Sequence, residues 1–411
     1  MKSLFKLFML ALFLMPAMTF VSSAQDSTQT EVNKKNLSAA SGKTKMLLTG
    51  AGWFGFAYDK DAKLNFNSYG FAPVFLWKIS DKLFFESEIE APQGEFELEF
   101  AKLNYAVNNY ISIGAGRMLT PFGAYGEKWE PAFIERFPNN PIIPDEDFLP
   151  GGTHLNWGAI MGMDVRGRVP LGNSRLSYVV FVSNGPSLDN SNGLIDYENL
   201  DDNNSNKQVG GRIGLLPFSN SCLELGFSYE KGIAGNPEDS VYQINSEWKD
   251  YSKVGASAMA IDLNFVKSIP KIKSIIGVKG QFSSYMVDDA YYSVPDGFTA
   301  TNYAPGDSTL YTFNNTLQNY YAQFSFRPAL IKNKCLKNVE LLFRYNSLTE
   351  PKDAAWSEKD NNGAGGVVTR MDIGLCYWLN WRTGLRFAYE NTTHVNGEQS
   401  SELLARFVMG F

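Results

Sequence analysis

The residues of this chain that could do chemistry are charged side chains held at regular positions. The stretch 118–155 carries Glu127, Glu130, Glu135, Asp145, Glu146 and Asp147 against only Lys128 and Arg136. Elsewhere Arg166, Arg168, Arg344, Arg370, Arg382, Arg386 and Arg406 fall on the polar side of alternating apolar–polar segments, as do Arg212, Arg327 and Lys279. Walls of one charge facing a common space sort ions by sign, and opposed walls orient dipolar solutes. Such an arrangement selects solutes and breaks no bonds. Residues for bond chemistry are scarce. His154 and His394 both fall in loops, with no Ser in a glycine elbow nearby, so there is no enzyme signature. Two His and three scattered Cys supply no zinc set, and no cofactor is expected. Asp196, Glu198, Asp201 and Asp202 crowd one loop, which reads as a solvated acidic loop before it reads as a Ca²⁺ site.

The elements that must position these charges are strands. Of 411 residues, 44% are hydrophobic and 14% aromatic, a composition too apolar for disorder. The formal charge of −6 argues against a nucleic-acid partner. After Lys45 no apolar run is long enough for a membrane helix. The chain instead repeats segments of about ten residues with alternating polarity, separated by turn-forming residues. Leu403, Ala405, Phe407 and Met409 alternate with Glu402, Leu404, Arg406 and Val408. Trp381, Thr383, Leu385, Phe387 and Tyr389 alternate with Arg382, Gly384, Arg386, Ala388 and Glu390. The period of two, with aromatic residues at strand ends, predicts an all-β protein: a transmembrane antiparallel β-barrel of about 16 strands. The expected spans are 45–59, 63–78, 82–91, 94–106, 109–117, 156–169, 174–184, 207–217, 222–231, 252–267, 272–287, 313–327, 337–348, 366–379, 381–391 and 400–411. Tight turns alternate with long loops at 118–155, 185–206, 232–251, 288–312 and 349–365, which predicts short periplasmic turns and long extracellular loops. A barrel of this size leaves an aqueous channel.

The first residues read as an address. Lys2 and Lys6 precede a short apolar run from Phe8 to Phe20, and Ser22-Ser23-Ala24 offers a small-residue cleavage site. Residues 1–24 are therefore expected to be a secretory signal peptide, since a membrane helix needs ~20 apolar residues. Residues 25–44 are expected to be a flexible periplasmic lead-in and 45–411 the barrel.

A family resemblance sits at 97–123. Glu97-Leu98-Glu99-Phe100-Ala101-Lys102-Leu103-Asn104-Tyr105 leads into Ile113-Gly114-Ala115-Gly116-Arg117-Met118-Leu119-Thr120-Pro121-Phe122-Gly123. The acidic–aromatic strand, the step Gly116-Arg117 and the turn Pro121-Phe122-Gly123 resemble the phosphate-selective porin O/P family of sixteen-stranded outer-membrane porins. The resemblance implies a passive pore, a homotrimer and a loop after the fifth strand that folds inward. It does not by itself imply phosphate. Terminal Phe411 resembles the signal that the barrel-assembly machinery reads during insertion.

On this reading loop 118–155, stiffened by six Pro, narrows the pore. Its acids then face the Arg residues of the last four strands across the lumen. Glu86, Glu88, Glu90, Glu97 and Glu99 form a further acidic patch. Cys222 and Cys335 begin strands that are not neighbours and are expected to stay unpaired. The expected function is passive diffusion of small hydrophilic solutes and ions across the outer membrane of a Gram-negative cell, with membrane lipid as the surroundings. An anion- or phosphate-selective porin is one alternative. A surface receptor or adhesin displayed on a closed barrel is another, from a different class.

Overall fold

The structure, a computed structural model, describes residues 45–59, 64–144, 155, 158–189, 192–198, 200, 202, 204–236, 242–244, 247–293, 310–354, 356 and 365–411. The expected signal peptide, the lead-in and the acids Asp145, Glu146 and Asp147 lie outside these residues.

Sixteen antiparallel strands close into one barrel. In chain order they are β1 (Lys45–Asp59), β2 (Asn65–Lys78), β3 (Leu83–Pro92), β4 (Glu97–Ala106), β5 (Ser112–Leu119), β6 (Ala159–Leu171), β7 (Ser174–Asn184) and β8 (Lys207–Leu216). The second half comprises β9 (Leu223–Ile233), β10 (Gly255–Ile269), β11 (Ser274–Val287), β12 (Thr316–Arg327), β13 (Val339–Glu350), β14 (Gly366–Trp378), β15 (Thr383–Thr393) and β16 (Gln399–Gly410). Each strand pairs with its sequence neighbours, and β16 pairs with β1 from Ala51↔Gly410 to Asp59↔Glu402. The main chain of Phe411 extends this seam with reciprocal hydrogen bonds to Gly50. Closure leaves no unpaired edge, as a lipid surround demands.

Alternation sets the two faces. Along β12, Leu317, Asn319, Tyr321, Gln323 and Ser325 are buried on the inner side, while Gln318, Tyr320, Ala322 and Phe324 are exposed outside. Val180, Val182, Val209, Ile213, Phe227, Ile261, Phe343 and Ile373 are likewise exposed on the outer face. A continuous outer band of this kind matches the apolar belt of a membrane barrel.

Most short connections are the tight turns expected. Several strand boundaries shift by two or three residues from the expected spans, among them 94–106, which begins at Glu97, and 109–117, which runs Ser112–Leu119; one shift has a clear side-chain cause. The strand expected at 381–391 begins at Thr383, because Asn380 builds a turn ahead of it: its Oδ1 accepts from the Arg382 N–H at 2.8 Å and its Nδ2 donates to Thr383 Oγ1 at 3.0 Å. Trp381 and Arg382 therefore belong to the turn. The β12–β13 connection, 328–338, is also longer than its companions and ends in a short 3₁₀ turn, Leu336–Asn338.

Loops at the opposite end fold inward onto the β10 side of the barrel. Ala256, Ala258 and Ala260 on β10 are small, which makes room for Leu188, Ile195, Tyr197, Tyr251, Tyr292 and Phe313 from three loops, with Phe122 and Ile142 beneath them. This apolar core occupies the loop end of the barrel interior.

Candidate functional site: a charged lumen beside an inward loop

The segment after β5 crosses the barrel interior as a strap. Pro121 and Phe122 turn it inward, and Gly123 takes a left-handed φ of 65°. Only glycine suits that position on two counts, since a Cβ would also come within 2.5 Å of the Gln281 amide. Beyond the turn, the N–H of Gly123 donates to Ser228 Oγ on β9 at 3.0 Å. The N–H groups of Ala124 and Tyr125 both donate to Gln281 Oε1 on β11, at 2.8 and 3.1 Å. Tyr125–Trp129 then forms a single π-helical turn whose Tyr125 and Trp129 rings pack edge-on against Tyr321 of β12.

Charge pairs fasten the rest. Glu127 accepts from Arg166 on β6 at 2.9 Å, and Lys128 pairs with Glu224 on β9. Glu135 accepts from Lys279 on β11 at 2.8 Å and from the N–H groups of Arg136 and Phe137. Burial pushes the Glu135 carboxyl up, but Lys279, Arg344 and the Phe137 N–H outweigh it and hold the group down at about 2. Arg136 reaches Glu340 on β13 at 2.9 Å and Ser325 on β12 at 2.8 Å. Phe137 lies on β14 where Gly374 has no side chain; a Cβ there would meet its ring at 2.6 Å.

Arg344 is fully buried against the strap. Its guanidinium stacks 4.4 Å from the Phe137 ring, pairs with Asp372 at 2.6 Å, and donates to the carbonyls of Asn139 and Asn140 at 3.1 and 3.0 Å. Arg370 also donates to the Asn140 carbonyl and pairs with Asp372 at 3.2 Å. The opposition expected across open water thus takes another form: Arg344 and Arg370 touch the loop and grip its backbone. Asn346 accepts from the Ile142 N–H at 3.0 Å, at the far end of the strap.

With the strap laid along β9 to β14, the open space is pushed to the other side. It encloses about 750 Å³ between the strap and the arc formed by β15, β16 and β1 to β4. Among the described residues nine Glu line it: Glu90, Glu95, Glu97, Glu99, Glu130, Glu135, Glu198, Glu390 and Glu402. Four Arg line it: Arg117, Arg370, Arg386 and Arg406. Several of these are neutralised locally. Arg117 pairs with Glu198 at 3.3 Å, Arg370 stands 3.9 Å from Glu390, and Glu135 belongs to Lys279. What remains is an acidic group on the β3–β4 side with Glu130 facing it, and Arg386, Arg406 and Glu402 on the β15–β16 side. A register shift at Glu88/Ile89 lets β4 present Glu97 and Glu99 to the same space. Burial, and then Glu90, Glu88 and Glu99, push the Glu130 carboxyl well above the usual carboxylate range.

The structure therefore brings Glu130, Glu135, Arg370, Arg386 and Arg406 to one cavity, and uses Glu127, Arg136, Arg166 and Arg344 to fasten the strap. Arg168 is exposed towards the turn end of β6. Arg382, expected on the inner wall, is instead a turn residue: it donates to Thr49 Oγ1 at 3.0 Å and to the Phe411 main-chain oxygen at 2.9 Å. Gly116 sits on β5 one residue before Arg117, whose Nε donates to the Glu99 carbonyl at 3.2 Å. Sequence reasoning did not single out the acids Glu224 and Glu95 or the uncharged Ser228, Gln281, Asn319 and Asn346. The signal of the uncharged set is an excess of amides at inward positions of β9 to β13, where the strap lands. Cys222, Cys335 and Cys376 are all free.

No protein-family model matches the chain, and no curated protein matches it in sequence. Solved structures do resemble its fold. The outer membrane channel DcaP of Acinetobacter baumannii is similar with a TM-score of 0.53 at 14% identity, over 90% of this chain and 99% of that one. OmpF of Salmonella typhi, in a complex with daunomycin, has a TM-score of 0.53 at 11% identity over 90% and 98%. An anion-selective porin from Comamonas acidovorans has a TM-score of 0.50 at 9% identity over 90% and 100%. The barrel described above is the fold that these outer-membrane channels share.

Proposed function

We propose that this chain is an outer-membrane porin that lets small hydrophilic solutes and ions diffuse passively through the space beside the strap. The carrying observation is that cavity: about 750 Å³, bounded by a strap fixed to the wall, and lined among the described residues by nine Glu and four Arg. Charge placed around a narrow aqueous space sets ion preference. After local pairs are set aside, the free acids outnumber Arg386 and Arg406, so the pore favours cations. The outer apolar band supports a lipid surround. The likeness of 97–123 to the phosphate-selective porin O/P family supports the inward loop and a homotrimer, while the acidic lining speaks against a phosphate preference. Residues 1–24 serve as a cleaved export signal, which N-terminal sequencing of protein from the membrane would test.

The decisive experiment is single-channel recording of the refolded barrel in a planar bilayer under a salt gradient. Steady open current with a reversal potential of cation-selective sign is expected. An anion-selective sign would instead favour the Arg pair as the dominant wall. Silence from folded protein would overturn the pore and favour a barrel that displays its loops as a receptor or adhesin.

A further inference from the structure

The chain is acidic overall, yet two neighbouring turns carry only positive charge. The β10–β11 connection and its flanks, 266–274, contain Lys267, Lys271 and Lys273 and no acid. The β12–β13 connection with its flank, 327–338, contains Arg327, Lys332, Lys334 and Lys337 and no acid. The two turns touch: the N–H of Leu330 donates to the Lys273 carbonyl at 3.0 Å. Among the described residues none of the six lysines is in an ion pair, whereas Lys78, beside another turn of the same end, pairs with Asp81 at 2.9 Å. Arg327 is directed back to the protein, donating to the Lys337 carbonyl at 3.0 Å and lying 5.5 Å from the Trp378 ring.

The lysines alternate with exposed apolar side chains. Ile272 is 50% exposed, Leu330 47% and Leu336 54%, and each stands between or beside lysines. A soluble anionic partner needs the charge but not the bare aliphatic groups. A bilayer surface accepts both: aliphatic side chains enter the headgroup–acyl boundary while ammonium groups meet phosphates. Turns at the end of a membrane barrel lie at that depth.

From this juxtaposition we propose that the β10–β11 and β12–β13 turns form a binding surface for anionic phospholipid headgroups of the inner leaflet. The inference rests on the membrane-barrel reading above. Each basic side chain near an anionic surface multiplies the affinity about fivefold, so a cluster of six gives a strong local preference. The partner is a phosphate-bearing lipid embedded in the same leaflet, and it would tether one side of the barrel.

The test uses the full barrel in nanodiscs that mix phosphatidylglycerol with phosphatidylcholine, with retained lipid counted by native mass spectrometry. Wild type should retain phosphatidylglycerol preferentially, and added salt should weaken the preference. The combined variant K271Q/K273Q/K332Q/K334Q should lose it roughly tenfold or more, while K78Q/K82Q at the distant β2–β3 turn should leave it intact. Equal retention of the two lipids by wild type, or an unchanged preference in the four-fold variant, would overturn the proposal. If the variant does not refold, the salt dependence in wild type decides alone: no change with salt overturns it. Salt-sensitive binding of wild type to purified cell-wall sacculi without any lipid preference would also overturn it and assign the patch to a polymer. Conductance recorded from the same samples separates the two readings, because a silent barrel with a lipid preference would sink the pore and leave this surface standing.

Discussion

Arg386 on β15 and Arg406 on β16 stand directly opposite each other on the luminal side of the sheet. Among the described residues Arg386 Nε and Nη1 have no hydrogen-bond partner, and Arg406 donates its Nε to the Ser68 hydroxyl at 3.0 Å. Neither has a carboxylate in contact among the described residues. Two rows further along the same strand pair, Glu390 faces Glu402. Like charges placed opposite one another on a sheet cost about 0.2–1 kcal/mol each. Both pairs border the cavity, so the cost falls on its wall.

Replacing one member of the cationic pair should therefore act twice. Arg406→Gln is expected to move the reversal potential further towards cation selectivity. It should leave the barrel as stable as before or slightly more so, by up to ~1 kcal/mol. Bilayer recording and heat-unfolding on gels check the two parts. An unchanged reversal potential would show that Arg406 does not act on the permeating ions.

Glu130 gives the pore a pH dependence. Its carboxyl is held well above the usual range by burial and by Glu90, Glu88 and Glu99. At low pH it is neutral, and its charge appears only as pH rises through the elevated value. Cation preference should thus grow with pH above the range where ordinary carboxylates have finished titrating. Glu130→Gln should flatten that part of the profile of reversal potential against pH.

Glu135 has the opposite sign. Against the push of burial, Lys279, Arg344 and the Phe137 N–H hold its carboxyl at about 2, below the usual carboxylate range. The stability this contributes is present above ordinary carboxylate values and is lost as pH falls towards 2. Lys279→Met removes its main partner and leaves a buried carboxylate, a loss of about 3–5 kcal/mol in comparable buried pairs. The variant should show flickering current and faster proteolysis within 121–144 at neutral pH. Wild type should begin to do so only in strong acid. A quiet K279M channel would mean that the amide contacts at Gln281 and Asn346 hold the strap unaided.

Arg382 should matter to closure and leave selectivity alone. Its two donated bonds join the β14–β15 turn to Thr49 and Phe411, and it does not line the cavity. Hydrogen bonds from charged groups contribute about 1.5–3 kcal/mol each. Arg382→Ala is expected to lower the temperature at which the barrel loses its compact gel mobility, with the reversal potential unchanged.

Strand number, order and facing could be read directly from the sequence, because a period of two that must satisfy lipid outside and water inside leaves few choices. The boundary at Thr383 could not, since alternation continues through Trp381 and Arg382, and only the Asn380 side chain ends it. The course of the strap was equally hidden. Alternation states that Arg344 and Arg370 point inward, but not whether water or backbone awaits them. That depended on Gln281, Asn346 and Gly374, whose roles appear only once strands far apart in sequence are brought side by side.

The seam between β16 and β1 lends the cavity Leu404, Ala405 and Arg406 from one side and Trp53, Phe56 and Ala57 from the other. The aperture is therefore assembled from the earliest and latest strands together. Without the β16–β1 seam the cavity would lack this part of its wall. Ring closure and completion of the cavity wall are therefore one event.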